Sequence, residues 1–136
     1  ATPTFWTLAE ESALLDYLLE HQSEAGDGGN FKKPTFEAAA SSIAHLHSRG
    51  AIKMFKICQN KYSALRKIYR VVCAIQQVSG WTWNDDTGAS ITSDIADSWD
   101  NYVCHHLEAK PFCNKGWVHF HKVSELMPSS ATSANV

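Results

Sequence analysis

"KICQNKYSALRKIYRVV", residues 56–72, carries two chemistries on one periodicity. Wound at about 100° per residue with Cys58 at zero, Tyr62, Leu65, Tyr69 and Val72 fall within about 40° of it and form an apolar stripe. Lys56, Gln59, Asn60, Ser63, Arg66, Lys67 and Arg70 fall between about 80° and 200°, on the other side. Lys61 alone lies near the edge of the stripe, where its stem can pass an aromatic ring. No acid occupies the outer face, whereas an ordinary solvated helix mixes signs for i,i+4 pairing. Lys and Arg can neutralise phosphate or grip a guanine edge, and Gln59 and Asn60 have the amide geometry that pairs with adenine. On these residues alone two readings stay open: a helix that reads nucleic acid, and the wet face of an ordinary core helix.

The charge around this stretch is segregated. Residues 1–30 hold six acids and no Lys or Arg, residues 32–70 hold nine Lys or Arg and one acid, Glu37, and the remainder holds seven acids and three lysines. A formal net charge of −2 therefore hides a basic segment, the kind of asymmetry that points to a polyanionic partner. Lys32, Lys33 and Lys53 belong to that segment and join Lys56, Gln59, Asn60, Ser63, Arg66, Lys67 and Arg70 as candidate nucleic-acid contacts.

The 136 residues suit one domain with a real core, expected over 1–128 with a polar, disordered tail at 129–136. No apolar run approaches the roughly 18 residues of a membrane span, and Ala1-Thr2-Pro3-Thr4 shows no secretory leader. Four cysteines without scaffold spacing read as free thiols, which favours a nuclear or cytoplasmic setting. Thr7-Leu8-Ala9-Glu10 is a capping box opening a first helix that ends near His21. A second helix is expected from Thr35 to about His47, and a third from Met54 or Lys56 to Gln77. A fourth, capped by Ser93 or Asp94, should reach about Leu107. A short fifth follows Pro111, carrying Trp117, Phe120, Val123, Leu126 and Met127. "WTWNDDTGASIT" (81–92) between them reads as irregular with room for a short hairpin. The fold class is all-α.

Three stretches together resemble the Myb/SANT-like DNA-binding domains of the trihelix type, known from fungal and plant proteins, many of them transposon-related. "FWTLAEESALLDYLLEHQSE" (5–24) resembles the opening helix of that family. "CQNKYSALRKIYR" (58–70) resembles its third helix, with Tyr62 where the pattern has Trp. "SGWTWNDDTGASITSDIADSWDNYVCHHLEAKPFCNKGW" (79–117) resembles its trailing segment. The resemblance implies a three-helix bundle of helix-turn-helix type, extended here by two C-terminal helices, whose third helix enters the major groove of duplex DNA. Trp6 and Tyr62 would then be core aromatics. It also implies a setting in transcription or transposon biology, and it leaves RNA as a second polyanion. SANT-like domains often bind proteins instead, a role the acidic first helix could serve.

Other chemistries are less well supported. "GDGGN" (26–30) lacks the strand, Lys and Ser/Thr of a phosphate loop. Cys104, His105 and His106 diverge around a helix, as do His119 and His121, and no CxxC pair exists, so no metal or other cofactor is expected. His105, His106, His119, His121, Asp85, Asp86, Asp94 and Asp97 are the residues a nucleic-acid-modifying enzyme would use for acid–base steps, but no spacing singles out a pair. Trp81 and Trp83 can stack on bases or close the bundle.

Overall fold

The computed structural model describes residues 3–128, so the expected tail at 129–136 lies outside it. Five α-helices and one two-stranded hairpin form two compact units, residues 3–64 with 121–128 and residues 65–120. The third helix runs through both.

In the first unit, α1 (Leu8–Glu20) starts as its sequence requires. The Thr7 hydroxyl accepts from the Glu10 amide at 3.1 Å, and the Glu10 carboxylate accepts from the Thr7 amide at 2.9 Å, so two orphan donors are satisfied reciprocally. The helix stops at His21, whose ring stacks on Tyr17 at 3.9 Å and meets the Tyr17 carbonyl at 2.8 Å through Nδ1. α2 (Lys33–Ile43) begins two residues earlier than expected, because Pro34 in its first turn suits a position with no amide partner. Its Phe36, Ala39 and Ile43 meet the Leu14, Leu15 and Leu18 face of α1 in a fully buried core. Phe31, Phe36 and Tyr62 stand with ring centres 5.8–6.1 Å apart. The Tyr62 hydroxyl donates to the Gly29 carbonyl, so Tyr62 is a core aromatic. Val123 and Leu126 of α5 (Phe120–Leu126) add to this unit.

The second unit packs Val72 and Ile75 of α3 (Phe55–Gln76) with Ala89, Trp99, Ala109 and Phe112. Its hairpin is β1 (Trp83–Asn84) against antiparallel β2 (Gly88–Ala89). Asn84 turns it by accepting from the Asp86 and Thr87 amides. Gly88 is required twice over: its φ is +75°, and a Cβ there would lie 2.0 Å from the Lys115 carbonyl oxygen. Asn114 clamps the loop, accepting from the Ile91 amide at 2.9 Å and donating to the Ile91 carbonyl. Trp81 and Trp83 are half-buried against this core, and the Trp83 indole donates to Asp85. They act in packing.

α2 also ends at Ile43 instead of about His47, and two later boundaries differ from expectation. α4 (Ala96–His105) has no side-chain cap: Ile95 holds the cap position, while Thr92 and Asp94 hydrogen-bond to each other just before it. α5 begins only at Phe120, because residues 113–119 follow the close approach of Gly116 to the Asp85 carbonyl, 2.1 Å from where a Cβ would stand.

Candidate nucleic-acid interface

α3 is 22 residues long, about 33 Å at the helical rise. Its inward stripe is buried at Cys58, Tyr62, Leu65 and Val72, with Tyr69 half-buried and stacked on Phe120 at 5.3 Å. Burial pushes the Cys58 thiol up to about 11, which makes it a packing residue rather than a nucleophile.

The opposite face is wet. Lys56, Asn60, Ser63, Lys67 and Arg70 are exposed, and their alternating spacings of four and three residues draw one line along the helix. Gln59 and Arg66 flank it half-buried. Lys56 reaches Gln59, donating to its Oε1 at 3.2 Å. No acid stands in the first turn of α3. A cation at this positive helix end is unfavourable by a few tenths of a kcal/mol, and an approaching anion relieves it. Lys33, at the start of α2, holds its ammonium 4.7 Å from the centre of the Phe55 ring, which brings a second charge to the same end of α3. Lys32 is exposed beside it.

Lys53 is the exception among the candidate contacts. Its side chain is 3% exposed and pairs at 2.9 Å with Glu10, which is 1% exposed. Residues 51–54 belong to no helix or strand, and the chain turns Ile52 and Met54 outward, 72% and 66% exposed, and Lys53 inward. It therefore cannot reach a nucleic acid and is corrected from contact to core ion pair. Burial pushes the Glu10 carboxyl up, but hydrogen bonds from Thr7 and Lys53 and the Lys53 charge outweigh it and hold it below its usual range. Trp6, half-buried, lies between two ammoniums, Lys53 at 5.3 Å and Lys61 at 5.5 Å from its ring centre. Lys61 also pairs with Glu11 at 3.2 Å. The expected passage of Lys61 beside a ring is thus to Trp6. Sequence reasoning missed this clamp, whose one clue is that Trp6, Glu10 and Glu11 share one short segment.

The acids of α1 are largely occupied, since Asp16 pairs with Lys122 at 2.8 Å in addition to Glu10 and Glu11. Three of the acid–base candidates are engaged locally as well. His105 and His106 meet the Asn101 and Tyr102 carbonyls through Nδ1, and Trp83 donates to Asp85. Two clefts, about 160 and 340 Å³, lie between α2 and residues 52–55, and neither is lined by any of them. Among the described residues no group of three or more His, Cys, Asp or Glu side chains gathers where a metal ion could be held, and no helix is long and apolar enough to cross a membrane.

A mostly helical chain with one long helix, apolar on one side and basic without acids on the other, has the form of a helical nucleic-acid-binding domain. The family model for the Myb/SANT-like DNA-binding domain matches residues 5–102. The chain belongs to that family. No curated protein and no solved structure matches it.

Proposed function

We propose that this domain binds duplex DNA by laying the outer face of α3 into the major groove. Lys56, Gln59, Asn60 and Ser63 approach the bases, and Lys67 and Arg70, with Arg66 beside them, neutralise phosphate. The observation that carries this reading is the exposed, acid-free line of Lys56, Asn60, Ser63, Lys67 and Arg70, which offers charge and base-reading amides on one surface. Lys32 and Lys33 add backbone contacts from the start of α2. The trihelix resemblance favours a nuclear role in transcription or transposon biology.

Binding of labelled duplex DNA by the full chain across a salt series tests it. Each phosphate contact contributes about 0.9 to the slope of log affinity against log salt. Lys67→Glu with Arg70→Glu should lower that slope by about two and weaken binding strongly, with the helical circular dichroism intact. Binding that ignores salt, or that survives this double reversal, would show that the partner sits elsewhere. The same titration with single-stranded and duplex RNA separates the polyanions, and a chain that binds none of them is a protein-interaction module.

A further inference from the structure

Base preference at the start of α3 is written into the contact between Lys56 and Gln59. An ammonium carries donors only, so the atom of Gln59 that meets Lys56 at 3.2 Å is Oε1, and Nε2 faces away from the lysine. Glutamine recognises adenine with both ends of its amide, accepting from N6 and donating to N7. Here the accepting end already faces a positive charge, and the N6 hydrogens of an adenine would approach that same charge. Guanine presents two acceptors, O6 and N7, in the same place. Lys56 keeps two further N–H groups and Gln59 its Nε2 hydrogens, so the pair offers donors where guanine offers acceptors. No acid stands in the first turn to draw Lys56 away.

We infer that Lys56 and Gln59 act together as a guanine reader, with Lys56 setting the amide so that adenine is rejected at the base pair the two residues face. This rests on the reading of α3 as the DNA-contacting helix.

Selection of duplexes from a random pool by the full chain tests it, with Lys56→Met and Gln59→Ala selected in parallel and each checked for its helical spectrum. The position that matters is the one whose preference Gln59→Ala abolishes. The wild type should select guanine there. Lys56→Met should reduce guanine over adenine at that position by roughly tenfold or more, the discrimination of one good bidentate contact. Adenine in the wild-type pool, or an unchanged preference in Lys56→Met, overturns the inference. Salt-dependent binding without any base preference overturns the inference and leaves DNA binding by α3 standing. Failure to enrich any duplex overturns both.

Discussion

Replacing Lys53 with methionine removes the partner of a carboxylate that is almost fully buried. Glu10 is 1% and Lys53 3% exposed at their side chains, and they meet at 2.9 Å. Breaking a buried pair from one side costs about 3–5 kcal/mol, because the remaining charge is left uncompensated. Glu10 keeps its two bonds with Thr7 and can take up a proton, which places the expected loss near the lower figure, about 3 kcal/mol. That is a large share of the 5–15 kcal/mol typical of a folded protein. With a urea slope of about 1–3 kcal/mol/M, the unfolding midpoint should fall by about 1–3 M. Urea unfolding followed by circular dichroism reads this directly. Glu10→Leu combined with Lys53→Met should recover most of the loss, since an apolar replacement of a buried pair is often neutral or better. The capping-box contribution, about 1 kcal/mol, would remain missing. A Lys53→Met protein with an unchanged midpoint but weakened DNA binding would refute the reasoning and return Lys53 to the nucleic-acid face.

The acid limb of stability carries the same pair. A carboxyl held below its ordinary value contributes stability above the unfolded Glu value of about 4.3, and loses it as pH falls through the lowered folded value. Unfolding midpoints should therefore drop below about pH 4 in the wild type, and Glu10→Gln should flatten that drop; an acid limb identical in both proteins would exclude Glu10 as its source. Gly88→Ala should cost at least about 2–3 kcal/mol, from the positive φ and from the clash with the Lys115 carbonyl. Tryptophan fluorescence in urea would follow it through Trp81, Trp83, Trp99 and Trp117, and a wild-type transition would disprove the close approach. In a thiol titration the exposed Cys104 and Cys113 should react promptly, while the buried Cys58, with its thiol raised to about 11, reacts only in denaturant; fast labelling of Cys58 would mean that the stripe of α3 opens.

Features set by near neighbours were legible in the sequence. The capping box of α1, the apolar stripe of α3 and the hairpin after Gly80 each depend on residues within a few positions, and each appears in the structure. Features set across distance were not. Lys53 meets Glu10 from a different part of the chain, and it turns inward in a connecting segment, residues 51–54, where hydropathy alone would have pointed Ile52 and Met54 inward. The cap of α4 failed for a local reason, because Thr92 and Asp94 satisfy each other instead of the helix. Asn114 shows the same limit: its partner Ile91 is 23 residues away, and nothing in the surrounding sequence announces the pairing. Of the candidate contacts, those on α3 could be ordered by periodicity, whereas Lys53, outside any helix, had none to follow.

The charge segregation that first suggested a polyanionic partner is partly answered within the chain, in two ways. Glu10 and Glu11 of the acidic first segment hold Lys53 and Lys61, so part of the basic segment is neutralised within the chain. Arg49 lies over Phe5 at 3.9 Å and Lys33 over Phe55, where aromatic rings take up some of the charge without cancelling it. Lys61 sits at the edge of the buried stripe, so Glu11, which holds it, meets α3 about 140° around the helix from Lys56. A helix with its side chains is about 10–12 Å across, and charges separated by more than about 8 Å in physiological salt are largely screened from one another. Glu11, paired with Lys61, therefore does little to weaken the field around Lys56. A net charge of −2 is compatible with a basic outer face on α3, because Glu10 and Glu11 are taken up by Lys53 and Lys61, two cations that do not belong to that face.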